Sequence, residues 1–214
     1  DGLSPHTSAS LGATNGIGPL ADSDAVRASG LVIEENDRLR CQHDLVRMAL
    51  STQISGPRRT ETHRRVLAAL DAVGNPDPAV RAHHAIGAGD GPITVVASLH
   101  AGRDAVVAGA RRQAARHYAN ALRHPELIPS DELDDVMYAA SYQAYLTNDM
   151  AGATAWAEQR TMRLTGPVTQ GDAHRWLSRL RWFSGQPEEA FTEGQRAVDA
   201  LEPHGATPQL ALAY

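Results

Sequence analysis

Gly109-Ala110-Arg111-Arg112-Gln113-Ala114-Ala115, Asn148-Asp149-Met150-Ala151-Gly152-Ala153 and Gly185-Gln186-Pro187-Glu188-Glu189-Ala190 are three versions of one pattern. Each reads as a tight turn, then the start of a helix, with a small residue where a neighbouring helix must come close. Aligned on Ala114, Ala153 and Ala190, they recur at intervals of 39 and 37 residues. A single helical hairpin cannot bury its own apolar face, so a recurring hairpin predicts units stacked side by side. Gly166-Pro167 and Pro203-His204-Gly205 punctuate the pairs.

The interval lies near the roughly 34 residues of a tetratricopeptide repeat, which also places small and aromatic residues at its helix crossings. Gly102, Ala114, Tyr118 and Ala121 fit that register, as do Ala190 and Ala197, and with Ala153 they are the expected repeat-packing residues. Outward from them, the spacing of apolar residues predicts helices over Arg58–Val73, Pro78–Gly87, Ile93–Val107 and Arg111–His124. Towards the N-terminus, Leu31-Val32-Ile33 and Leu39-Arg40-Cys41-Gln42 flank Glu35-Asn36-Asp37, the pattern of a small β-hairpin. A helix follows from His43-Asp44 to about Ile54, with Leu45, Val46, Ala49 and Leu50 as its apolar face. A short helix over Ala21–Ala28 precedes the hairpin, and that order matches the wing region of a winged-helix unit. The expected fold is therefore mainly α. Stacked TPR-like hairpins form an α-solenoid over residues 57–214, preceded over 1–56 by a flexible segment and a small winged-helix-like element.

Composition agrees and narrows the chemistry. The chain has 214 residues, of which 36 are Ala, the residue with the lowest cost in a helix. All 20 basic residues are Arg. Without Lys there is no Schiff-base chemistry and no phosphate-binding-loop lysine, so these residues alone cannot make a P-loop ATPase or kinase. The net charge of −5 argues against DNA binding by this part of the protein. One cysteine, Cys41, excludes an internal disulfide framework and fits a reducing cytoplasm. No apolar run approaches the roughly 20 residues that span a bilayer, so no membrane partner is expected. The chain starts without Met and stops within an apolar helical pattern, Leu210-Ala211-Leu212-Ala213-Tyr214, and is expected to belong to something longer.

Candidate sites are sparse. Gly12-Ala13-Thr14-Asn15-Gly16-Ile17-Gly18 has the glycines of a dinucleotide-binding turn, but polar residues and Pro5 stand where a buried strand must precede it. Ten His residues invite a metal, yet His83 and His84 are adjacent and point about 100° apart on a helix. With no helical i, i+4 His pair, no metal site is expected. Ser130-Asp131-Glu132-Leu133-Asp134-Asp135 reads as the acidic opening of a helix. Trp156, Trp176, Trp182 and Phe183 read as core between helices, with a ligand groove as the alternative. No catalytic residue is assigned.

Ala28-Ser29-Gly30-Leu31-Val32 and Arg38-Leu39-Arg40-Cys41-Gln42-His43-Asp44-Leu45-Val46-Arg47-Met48-Ala49 resemble a known junction. It is the winged-helix end of the nucleotide switch in large ATP-binding, LuxR-type (STAND-class) transcriptional regulators of actinobacteria. Arg64-Arg65-Val66-Leu67-Ala68-Ala69-Leu70, Ala114-Ala115-Arg116-His117-Tyr118 and Arg175-Trp176-Leu177-Ser178-Arg179-Leu180 continue the resemblance in the same order. The resemblance implies a regulator built of an ATPase switch, a helical sensor arm and a C-terminal helix-turn-helix, of which this chain carries the end of the first and the start of the second. ATP or ADP and DNA are then ligands of the whole regulator, and no cofactor is expected in this part. It further implies that His43, in Gln42-His43-Asp44, senses the bound nucleotide through its β-phosphate. From the residues alone, His43 is a helix-capping residue.

The expected function is that of a non-enzymatic, cytoplasmic sensor and protein-interaction region. Its repeats take a protein or small-molecule effector and are compatible with self-association. The alternatives are a stand-alone TPR scaffold and a helical activation domain of another regulator. An enzyme is disfavoured by the missing Lys and the missing strand-flanked glycine loop.

Overall fold

The computed structural model describes residues 28–35, 38–74 and 76–214. The glycine-rich stretch 12–18, the rest of segment 1–19, all of the expected Ala21–Ala28 helix except its last residue, and the expected Asn36-Asp37 turn lie outside the described residues. The chain is mainly helical. Its backbone contacts group it into two compact units that meet between Thr94 and Val95, and not at residue 56 where the sequence reading divided it.

In the first unit, β1 (Val32–Glu35) pairs antiparallel with β2 (Arg38–Cys41), Val32 opposite Cys41 and Glu35 opposite Arg38. Helix α1 (Asp44–Gln53) follows. Of its expected apolar face, Leu45 is 78% exposed and Ala49 is exposed as well, while the side chains of Val46 and Leu50 lie outside what is described. Helix α2 (Gly56–Val73) begins with Pro57, whose fixed φ and missing N–H suit a first turn. Asp77 caps α3 (Pro78–Ala88) by accepting from the Ala79 N–H at 2.8 Å. The two helices pack on each other, with Leu67, Ala85 and Ala88 buried between them and Ile93 against that cluster. This hairpin carries its own core, which is why the division falls after it.

Helix α4 (Gly91–Val107) starts two residues earlier than the spacing predicts. Asp90 is the reason: its Oδ1 accepts from the Ile93 N–H at 3.0 Å and its carbonyl from the Thr94 N–H at 2.9 Å, so Gly91-Pro92 become the first turn. Helix α5 (Arg111–Ala121) ends earlier than expected, because residues 120–124 tighten into three-residue turns before Pro125. A 3₁₀ turn at Pro125–Leu127 leads to α6 (Leu133–Leu146), followed by α7 (Met150–Arg163), α8 (Pro167–Phe183), α9 (Pro187–Leu201) and α10 (Pro208–Ala213).

The second unit takes α4 from Val95 onward and holds the pairs α4–α5, α6–α7 and α8–α9, joined by one kind of turn. Gly109, Asn148 and Gly185, each five residues before the aligned alanine, have φ of 70°, 63° and 73°. Each donates its N–H three residues back, and the next residue donates five back, as in Ala110 to Ala105 at 2.8 Å, Asp149 to Ala144 at 2.9 Å and Gln186 to Arg181 at 2.9 Å. This left-handed stop satisfies the last carbonyls of one helix and turns the chain into the next. Two apolar clusters form between the helices. One is built around Leu99, Tyr118, Leu133 and Met137, the other around Ala157, Trp176, Leu177 and Leu180.

Candidate functional site

Ala114, Ala153 and Ala190 occupy the fourth position of α5, α7 and α9, and all three are buried. Twelve residues earlier stand Gly102, Ser141 and Ser178. The Ser141 hydroxyl donates to the Ala153 carbonyl at 2.7 Å, and that of Ser178 to the Ala190 carbonyl, also at 2.7 Å. Four residues after the alanines come Tyr118, Ala157 and Gly194. The bulk is shared out across each crossing. Gly102 faces Tyr118, and a Cβ at Gly102 would lie 3.1 Å from that ring, whereas Ser178 faces Gly194. Burial raises the Tyr118 hydroxyl above its ordinary pKa, opposed by Arg103.

Seven residues after the alanines, Ala121 and Ala197 are buried as expected. The middle hairpin places Arg160 at this position, also buried. Its Nε donates to Asp134 Oδ1 at 2.8 Å and its Nη2 to Asp134 Oδ2 at 3.0 Å, while Nη1 donates to Asp172 at 3.3 Å. Burial opposes this charge, but the hydrogen bonds and charges of Asp134 and Asp172 outweigh it and hold the guanidinium above its ordinary pKa. Asp134 therefore does more than open its helix. Spacing from the small residues of the other two hairpins does not reveal Arg160.

The aromatic residues divide. Trp176 is core, donating its Nε1–H to Ser141 Oγ at 2.8 Å and packing edge-on against Tyr138 and Tyr145. Trp156 is half-buried, but Trp182 and Phe183 are 66% and 54% exposed. Together with Phe191, Leu212 and Tyr214 they line a groove of about 800 Å³ along α8, α9 and α10. At its edge the Arg179 guanidinium lies 5.6 Å from the Phe183 ring centre and 5.8 Å from that of Tyr145. The Tyr214 hydroxyl donates to Glu202 at 3.0 Å.

In the first unit, His43 stands just before α1, in extended conformation and exposed, with no side-chain capping hydrogen bond. His83 and His84 on α3 meet a third imidazole that their spacing could not reveal, His63 on α2. His63 Nδ1 and His84 Nδ1 are 3.1 Å apart. Burial first, then the neighbouring His83 and Arg59, lower the pKa of His63; burial, then His83 and His63, lower that of His84 to about 4. As the side chains stand, no group of three or more His, Cys, Asp or Glu among the described residues is arranged to hold a metal ion. Among those residues no helix is long and apolar enough to cross a membrane. No family model, curated protein or solved structure matches the chain.

Proposed function

We propose that this chain is a non-enzymatic sensor and protein-interaction arm of an ATP-dependent LuxR-type transcriptional regulator, acting in the cytoplasm. The groove along α8, α9 and α10 carries the reading. Five large apolar side chains, Trp182, Phe183, Phe191, Leu212 and Tyr214, are each more than half exposed there, beside the cation of Arg179. An open aromatic surface suits an amphipathic helix laid along it better than a small molecule, which is bound by enclosure. Arg179 favours acidic residues on that helix. The occupant is thus an acidic amphipathic helix of the effector protein, and TPR-like stacking provides the frame that displays the groove.

The pair β1–β2 leading directly into α1 supports the finer reading of a winged-helix remnant, with His43 at the start of its helix. In the intact regulator His43 would then face the nucleotide. Extending the coding sequence tests this assignment. A GxxxxGK[ST] loop upstream and a helix-turn-helix downstream are the expected result, and a chain flanked by neither overturns it. In the regulator so defined, Trp182→Ser with Phe191→Ser should abolish effector-dependent transcription while ATP hydrolysis continues.

A further inference from the structure

We propose that His63, His84 and His83 form a site for one divalent transition-metal ion of the zinc class, with His63 and His84 as fixed ligands and His83 as the closing one. The three rings form a nearly equilateral triangle, with centres 5.3 Å apart for His63 and His83, 5.1 Å for His63 and His84, and 5.0 Å for His83 and His84. Three imidazoles bound tetrahedrally to one zinc, at Zn–N distances of about 2.0–2.1 Å, have ring centres about 5.2 Å apart. Two nitrogens bound to the same ion lie about 3.0 Å apart at a right angle and about 3.4 Å apart at the tetrahedral angle. The observed Nδ1–Nδ1 separation of 3.1 Å falls between these.

Two facing imidazole nitrogens can share a hydrogen atom or an ion. The first option gives a single hydrogen bond, in which one ring must be the donor and the other the acceptor. An ion engages both lone pairs and ties α2 to α3 through its own bonds. Gly87 helps set this geometry. A Cβ there would lie 2.4 Å from the His63 ring, so the glycine lets the imidazole lie flat against α3, beside His84. His83 stands at the solvent side, where a ring rotation brings it to the ion and water completes the coordination. His83 and His84 diverge by about 100° on their own helix, and the His63 ring from α2 contacts both.

Calorimetric titration of the chain, prepared without a histidine tag, with zinc chloride tests the site. One ion should bind per chain, at micromolar affinity. His84→Gln, which keeps a hydrogen-bonding partner for His63 but removes a ligand, should weaken binding by about tenfold or more, and His63→Ala should do the same. His83→Ala should weaken it less, and His204→Ala, remote in sequence and exposed, should leave it unchanged. Wild-type binding no tighter than that of a His63→Ala/His84→Gln double variant overturns the proposal. Nitrogen NMR of the unaltered chain gives an answer independent of any variant's folding. Zinc should move the ring nitrogens of His63 and His84 together at one equivalent, and unmoved resonances overturn the site.

Discussion

Gly171 and Ala190 show how little room the crossings leave. A Cβ at Gly171 would stand 2.6 Å from Leu201 Cγ and 3.3 Å from the Ala197 carbonyl, so either the side chain or the backbone must move. Ala in place of a helical Gly gains about 1 kcal/mol of helix propensity, which this overlap outweighs. Gly171→Ala should therefore lower the melting temperature. Ala190 is buried and its carbonyl accepts the Ser178 hydroxyl, so Ala190→Leu should cost about 1–3 kcal/mol. Ala200→Leu, at a half-buried position of the same helix, should cost clearly less, and equal melting temperatures for the two would refute the register.

The Arg160 cluster calls for a different substitution. Arg160→Met leaves Asp134 without its cation and Asp172 with Arg175 alone, and since these carboxylates keep 28% and 24% of their side-chain surface exposed, the loss should be about 1–3 kcal/mol, short of a fully buried pair. Adding Asp134→Val, which gives the middle hairpin the Val found at the same place in the first, should recover part of that loss. Urea denaturation of both variants measures it.

The hairpins were readable in the sequence because small residues and turns recur at fixed offsets, and local chemistry sets both. Ala114, Ala153 and Ala190, and the stops at Gly109, Asn148 and Gly185, fall where spacing put them. Asn148 is the one described non-Gly residue with positive φ, at 63°. Asn148→Gly should be neutral or stabilising, whereas Asn148→Val should cost roughly 1–2 kcal/mol, because a branched side chain resists the left-handed turn. Arg160 and His63 were not readable, and for one reason. Each acquires its role from partners on other helices, Asp134 and Asp172 for the first and His84 for the second, and one sequence gives no register between helices. On α1, Leu45 and Ala49 have the right period and are exposed, because periodicity names a surface without naming what covers it. An aromatic at helical spacing fits core and surface equally, and Trp176 and Trp182 divide between them.

The two units differ in what holds them together. The α2–α3 hairpin depends on a few buried residues, largely alanines, while α6 to α9 carry Trp176, Leu177, Leu180 and the Arg160 cluster. Amide protons of α2 and α3 should therefore exchange faster than those of α8, and hydrogen-exchange mass spectrometry should show zinc slowing only the first set. Two absences are expected of these 214 residues by themselves. Lacking a phosphate-binding loop, it should bind ADP no better than about millimolar, some 4 kcal/mol, by calorimetry. With a net charge of −5, it should not retard duplex DNA at physiological salt.

The sharing of bulk across the crossings also constrains how such a chain can change over generations. Tyr118 fits because residue 102 is Gly, and Ser178 fits because residue 194 is Gly. A side chain gained at 102 would bring its Cβ 3.1 Å from the tyrosine ring, and one gained at 194 would bring its Cβ 3.3 Å from the Ser178 hydroxyl, so in each case the partner must give by a few tenths of an ångström. The two positions of each crossing are therefore coupled, and enlarging one is easiest after the other has become small.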